Sequence, residues 1–371
     1  MNALRAIVER VSPRLFAGAA LPVGLHVAGE RLSAAQMQRT PAGLAVHAVG
    51  SLELGCPWYA LLGEPRRLNQ ALSELWAAQR FSGREVVACM PQEQLKVFTV
   101  DYTAAPGQPD NEAVGNEVAE RLKGQARRMV VDFVPVRRQN PDERVRQALV
   151  AAAAHEDVTA FLGLLEGAGL NVRALDISGM ALKRIVPWVA RSSGEEMQNV
   201  LLVDIGAASS HLMVLWGRRL MLDRAIEFSA QRLVSRTMKA LDLPEHTARR
   251  LLAEHGLAPQ AGATPSEFHG AVKELLGPEL AALKGEVGKT LGYASSRTRG
   301  NGVDKILLVD SGAGFPGIAR CVSEALGRRI ELLNPLAVLP HRLSEREVDQ
   351  FAPQCGAAVA IGLALRGLDE Q

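Results

Sequence analysis

Residues 201–215 read LLVDIGAASSHLMVL: an apolar run that stops on Asp204, bends through Ile205-Gly206-Ala207, passes Ser209 and Ser210 and turns apolar again. Two chemistries fit that pattern. A plain hairpin would use Gly206 for backbone freedom and the serines as tolerant turn residues. A phosphate-binding hairpin would use the same small residues to let backbone N–H groups approach an anion. In that case Asp204 would hold Mg²⁺ and its waters. A second stretch, LLVDSGAGFPGIARCV from Leu307, sets Gly312, Ala313 and Gly314 behind another apolar strand, a form suited to backbone contact with a ligand.

Both turns occur, in this order, in the actin-like ATPase architecture. There, two hairpins grip the phosphates from opposite sides and a Gly-rich turn near the carboxyl end holds the adenosine. Asp204, Gly206, Ala207, Ser209 and Ser210 fit the second hairpin, and Gly312, Ala313 and Gly314 fit the adenosine turn. The first hairpin departs from the pattern. Where an Asp and a small-residue turn are wanted, this chain has His26, Ala28, Gly29, Glu30 and Arg31. That hairpin is expected to serve the fold alone. GEVGKT at 285–290 is not a P-loop, because Leu283 stands where the pattern needs Gly and the surroundings read as helix. His246, Glu254 and His255 lack the spacing of a zinc site. No GxSxG occurs. His211, beside the second hairpin, reads as a packed or solvated strand residue.

The elements that must position these turns alternate along the chain, so the fold class is α/β. VGLHVAG and LAVHAVGSLEL read as strands joined through ERLSAAQMQRTPAG. A helix follows around PRRLNQALSELWAAQRF, and a new unit opens at REVVACMPQEQLKVFTVDY. That unit continues with the helix NEAVGNEVAERLKGQARR, the strands MVVDFVPVR and RQALVAAAA, the helix EDVTAFLGLLEGAG and the strand LNVRALDIS. RSSGEEMQN is a polar linker. Beyond it come the hairpin, helices from about Ala230 to Ser296, the strand KILLVD, a Gly-rich turn, a helix and the strand RRIELLNP. Aligning Val23 with Leu201 matches apolar to apolar positions, sets His26 opposite Asp204 and Ala28 opposite Gly206, and suggests two duplicated halves facing a cleft. Ahead of them, Leu4, Ile7, Val8 and Val11 predict a short amphipathic helix packed on the body.

With 371 residues, 47% hydrophobic and 22% charged, the chain is long enough for two cores and is not a disordered sequence. A net charge of +2 and few aromatics argue against nucleic acid. Cys56, Cys89, Cys321 and Cys355 form no ligand spacing and read as buried free thiols. No run is long and apolar enough to span a bilayer.

Several stretches together resemble the PilM family, the actin-like, FtsA-related proteins of type IV pilus assembly, with MshI as a sibling and the cytoplasmic domain of GspL as a more distant relative. They are VVACMPQEQLKVFTVDY, LLEGAGLNVRALDISGMAL, LLVDIGAASSHLMVL, LKGEVGKTLGYASSR, GAGFPGIARCVSEALGRRIELLNP and APQCGAAVAIGLALRGL. The resemblance implies two actin-like, ribonuclease H-like domains around a cleft. After an extension at 1–20, domain one would cover 21–198 with an inserted α/β subdomain at about 84–172. Domain two would cover 199–371 with a helical part at about 236–299. It further implies a cytoplasmic protein that binds the cytoplasmic tail of a PilN-like inner-membrane partner, in a groove bordered by the insert, and couples it to the assembly motor. Contact with the membrane would be indirect. ATP and Mg²⁺ would sit on the residues named above, with Asp204 nearest the metal. Three departures weaken that site: the first hairpin, Asp310-Ser311 at the adenosine turn, and Ser229-Ala230 where the family has a Gly pair. LKGQARR also replaces a proline-bearing segment at the end of the insert's helix. Binding rather than catalysis is the expected role, with no catalytic residue assigned. The alternatives are an active ATPase or kinase of the same superfold and an FtsA-like membrane-bound filament former.

Overall fold

The computed structural model describes residues 20–136, 144–194, 196, 198–259, 266–298, 300–309, 314–351 and 356–369. The expected amino-terminal helix, Gly312, Ala313 and Cys355 lie outside them. In chain order the elements of the first half are β1 (Val23–Ala28), β2 (Arg31–Thr40), β3 (Gly43–Glu53), α1 (Pro65–Ala78), β4 (Glu85–Cys89), β5 (Leu95–Tyr102), α2 (Asp110–Arg121), β6 (Met129–Pro135), β7 (Arg146–Ala154), α3 (His155–Gly167), β8 (Asn171–Asp176) and α4 (Ser178–Ser192). The second half has β9 (Val200–Asp204), β10 (Ser210–Trp216), β11 (Arg219–Ile226), α5 (Ala230–Leu241), α6 (Glu245–His255), α7 (Glu267–Arg297), β12 (Lys305–Val309), α8 (Ile318–Leu326) and β13 (Glu331–Leu332). Helices α9 (Glu345–Phe351), α10 (Gly356–Ala364) and α11 (Arg366–Asp369) complete the chain.

Two five-stranded sheets share one topology. The first runs β3-β2-β1-β4-β8 and the second β11-β10-β9-β12-β13. In each, the central strand (β1 or β9) has an antiparallel hairpin partner on one side and a parallel strand on the other. The internal repeat seen in the sequence is therefore a repeat of connectivity. A third sheet, β5-β7-β6, is antiparallel and carries α2 against one face. Within the segment 84–172 that the resemblance assigns to the insert, β4 is hydrogen-bonded between β1 and β8 and belongs to the first sheet. The strands of the third sheet run from Leu95 to Ala154.

Arg31–Thr40, read from sequence as a connection, is a strand. Small and polar residues disguised it. Ser33 and Gln36 are buried, and the Gln36 amide is satisfied by the carbonyls of Leu21 and Ser82 and by the Ser82 N–H. The last strand is shorter than RRIELLNP suggested, with only Glu331 and Leu332 pairing with β12. GEVGKT lies inside α7, as expected. Cys89 and Cys321 are buried free thiols, burial pushing Cys321 up to about 11, whereas Cys56 is half-buried.

Layering follows from the alternation of side chains. One face of the first sheet, with Val23, Leu25 and Val27, packs on α1 and α3. One face of the second, with Leu201, Val203 and Ile205, packs on α5 to α8. The facing sides of both sheets, with Val87 and Cys89 opposite Leu202 and Met213, share a core with α4 and α10. Every residue of α10 is buried. Its approach is so close that a Cβ on Gly24 would lie 1.9 Å from the Ala360 carbonyl oxygen, and one on Gly362 would lie 2.2 Å from that of Ala181. Gly24→Ala is therefore expected to cost about 1–3 kcal/mol in urea unfolding. Gly115→Ala, on the open face of α2 with nothing within 4 Å of the new methyl, is expected to add about 0.5–1 kcal/mol.

Candidate functional site

The second hairpin forms where the repeat placed it. Asp204 ends β9, is fully buried, and accepts a hydrogen bond at Oδ2 from the Gln92 side-chain amide at 3.2 Å. The same nitrogen donates to Ser178 Oγ at 2.8 Å, so Gln92 joins the loop after β4 to the start of α4 and to the hairpin. Gly206 is needed because the turn is tight. A Cβ there would meet the Ser209 carbonyl oxygen at 2.1 Å and Gln92 Oε1 at 2.9 Å. The Gly206 N–H donates to Ser210 Oγ at 3.3 Å, and the carbonyls of Gly206 and Ala207 accept from the Ala230 and Gln231 N–H groups at the start of α5. Ser210 is fully buried and its hydroxyl is turned into the hairpin, whereas Ala207 and Ser209 are half-buried. Of the adenosine turn, Gly314 is described, with φ of +65°.

The first hairpin approaches the second. A Cβ on Gly29 would stand 3.2 Å from that of Ala207. Its chemistry differs. His26, at the position equivalent to Asp204, is buried, and burial alone lowers its imidazole to about 4. It is neutral at physiological pH and lies beneath the start of α10, near Gly356 and Ser33. A neutral ring under a helix supplies packing and brings no charge to a metal.

Three features could not be read from the residues themselves, although the resemblance implied the last of them. Gln92 is the first; no pattern marks a lone Gln after Pro91. The second is an ion pair between His211 and Asp223, both buried, in which Nδ1–H donates to Oδ1 at 2.8 Å. Burial by itself depresses the imidazole, but the Asp223 hydrogen bond and the negative charges of Asp223 and Asp204 outweigh it, so His211 stands above its ordinary value. His211 is also the cross-strand neighbour of Asp204. The Asp223 carboxylate presses on the first turn of α4, where a Cβ on Gly179 would lie 2.4 Å from Oδ2. A strand His and a strand Asp twelve residues apart give no warning of this until the β10–β11 register is known.

The third is a groove between the third sheet and the body, about 710 Å³ counting its open mouth. Met90, Leu95, Val130, Ala151, Ile177 and Met180 give it apolar walls. Its charges come from Asp132, Asp176 and Arg366. Asp176 is buried and held by Arg184 at 2.6 Å, Arg366 at 3.3 Å and the Ile177 N–H at 2.8 Å, while Arg366 also donates to the Leu175 carbonyl at 2.8 Å. Residues 90, 177 and 180 of the groove are close in sequence to Gln92, which reaches Asp204, and to Gly179, which abuts Asp223. Among the described residues there is no group of three His, Cys, Asp or Glu suited to a metal ion, and no helix is long and apolar enough to cross a membrane.

The sign of the His211 shift gives a pH prediction. A raised folded-state value adds stability that is fully present below about pH 6.5, the unfolded imidazole's range, and is lost as pH rises through the folded value. Urea midpoints should fall across that interval in the natural protein and stay flatter in His211→Asn. His211→Ala, which strands a buried carboxylate, should cost about 3–5 kcal/mol, and Asp223→Asn in that background should return part of the loss.

The model of the family "Type IV pilus assembly protein PilM" matches residues 67–368. No curated protein matches the chain. Among solved structures, a PilM–PilN type IV pilus biogenesis complex superposes with a TM-score of 0.74 at 25% identity, over 94% of this chain and 98% of that one. The ethanolamine utilization protein EutJ from Carboxydothermus hydrogenoformans, 12% identical, superposes with a TM-score of 0.53 over 97% of this chain and 93% of its own. That second likeness speaks to the fold alone, which is the actin-like α/β arrangement of two halves. A family match over most of the chain, on this architecture, makes the protein a member of the PilM family of type IV pilus assembly proteins.

Proposed function

We propose that this chain is a cytoplasmic scaffold of pilus assembly that holds the cytoplasmic tail of a PilN-like inner-membrane protein in the groove beneath the third sheet, and so links that membrane protein to the assembly motor. The groove carries the reading. It is open, its walls are apolar strand and helix-start residues, and its charged groups are already hydrogen-bonded. Such a surface accepts the side chains of an extended peptide while leaving no buried charge unsatisfied. That one similar solved structure is a complex with PilN agrees with the same reading.

The nucleotide half of the reading is weaker in its chemistry. Asp204, Gly206 and Ala207 would hold ATP and Mg²⁺ from the second hairpin, with Gly312, Ala313 and Gly314 on the adenosine side. Bound nucleotide would supply a charged ligand bridging the two halves. Against tight binding, Asp204 Oδ2 already accepts from Gln92, the Gly206 N–H is spent on Ser210, and His26 brings no charge from the opposite turn. No side chain at the hairpin stands as a general base, so hydrolysis is not part of the proposal.

Two measurements test these statements. A fluorescent peptide of the PilN-like tail from the same organism should bind the natural protein, and Ala151→Arg, which fills the groove, should weaken it at least about tenfold, or about 1.4 kcal/mol, without moving the unfolding midpoint of the free protein. Equal affinity in the two proteins would overturn the groove assignment. ATP–Mg²⁺ at about a hundred times its Kd should add roughly 2.7 kcal/mol to folded-state stability. Asp204→Asn should remove that gain, and phosphate release should not exceed the blank. Turnover abolished by Asp204→Asn would favour an active ATPase instead.

A further inference from the structure

The segment RLKGQARR, residues 121–128, holds four cations and no carboxylate. It begins at the last residue of α2, where the chain leaves the helix through Lys123 at φ +43° and Gly124 at φ +83°, and it leads into β6. Arg121, Lys123, Arg127 and Arg128 are all exposed, and Arg121 stacks its guanidinium 4.7 Å above the Phe98 ring. Lys96, exposed on β5, reaches 3.3 Å to Gln125 in the middle of the segment and adds a fifth positive charge.

Helix-end electrostatics explain two of these cations. Arg121 and Lys123 lie at the carboxyl end of α2, where positive charge is favourable. The other three lie beyond it. Several surface arginines elsewhere meet carboxylates: Arg31 with Glu53, Arg146 with Asp110, Arg173 with Glu85, Arg232 with Glu227 and Glu279. Among the described residues none of the five forms an ion pair, although Glu120 adjoins Arg121 and Glu156 and Asp157 follow β7 at the same end of the sheet. Two apolar residues stand out beside them, Val130 at 44% and Val131 at 38% exposure. Val131 is level with Lys96 across β7, while Val130 shares a rung with Leu95 and Ala153, all three on the groove wall. Lys96, Val131 and Arg121 lie on the α2 face of the sheet and Val130 on the groove face, so the basic segment sits at the end of the sheet whose other face walls the groove.

We infer that this patch is a contact surface for anionic phospholipid headgroups. The inference rests on the groove reading, because a membrane protein's tail seated there brings a bilayer to this edge of the molecule. Arginine guanidinium groups pair with phosphate oxygens, and a polybasic surface is drawn to an acidic leaflet within a Debye length of about 8 Å. Val131, on the α2 face, offers apolar contact at the headgroup level, while Val130 belongs to the groove. Five cations give a weak, salt-sensitive attraction, suited to orienting a scaffold that a peptide already tethers.

The test is co-sedimentation of the full chain with vesicles of phosphatidylcholine alone, or with phosphatidylglycerol added, at low and physiological salt. The protein should sediment with the phosphatidylglycerol vesicles only, less at the higher salt. The variant Lys123→Glu/Arg127→Glu/Arg128→Glu should lose that binding by about tenfold or more while unfolding at the same temperature and binding the tail peptide as before. Equal sedimentation with both vesicle types, or of the variant and the natural protein, overturns the inference. So does charge-dependent binding to a DNA duplex with none to vesicles, which would assign the patch to nucleic acid. Lipid binding in a protein that ignores the tail peptide upholds the patch and sinks the groove reading; tail binding without lipid binding does the reverse.

Discussion

Helix α10 touches two backbones at once. On one side the Ala360 carbonyl sits where any side chain on Gly24 of β1 would be; on the other, the Ala181 carbonyl of α4 fills the space a side chain on Gly362 would need. Contact at that range leaves no room for sliding, because packed interiors have few voids to absorb a shift. The carboxyl-terminal segment is thereby wedged into the first half of the chain. It locks α4 against the first sheet, and with it the stretch from Asp176, at the end of β8, to Met180 in the first turn of α4. That short stretch faces the groove with Ile177 and Met180, meets Asp223 of the second half at Gly179, and holds at Ser178 the Gln92 amide that reaches Asp204. Both candidate functions of the molecule thus hang on where one helix begins.

The two hairpins show how a duplicated fold parts from its duplicated chemistry. Their sheets have the same strand order, yet the equivalent central positions hold a buried Asp204 and a buried His26. Desolvation penalises charge at both sites, and each meets it differently. His26 gives up its proton. Asp204 takes a hydrogen bond from Gln92 and lies beside the raised imidazole of His211. At these equivalent positions the second hairpin thus holds a hydrogen-bonded carboxylate and the first a neutral ring.

Much of the fold was legible because alternation and helical spacing report burial directly. The strands around Val23 and Leu201, the long helix through GEVGKT and the inserted strands all announced themselves in this way. Arg31–Thr40 hid because its buried positions are Ala, Ser and Gln, whose burial depends on partners far along the chain. The hairpin residues Asp204 and Gly206 were visible as a local turn pattern. Gln92, the His211–Asp223 pair and the Asp176–Arg184–Arg366 cluster were not, since each joins residues set together only by sheet register or by the return of the carboxyl-terminal helices. The groove is likewise a property of three separated segments, and only the resemblance to PilM pointed to it in advance.

The claim at the centre is that a peptide tail occupies the groove under the third sheet. Hydrogen exchange of the full chain, with and without the PilN-like tail, tests it most directly because it reads every backbone segment at once. The account predicts slowed exchange in β6, in β7 and at the start of α4, with α5 to α8 unchanged. Protection confined to the second half, with β6 and β7 exchanging as in the free protein, would contradict it.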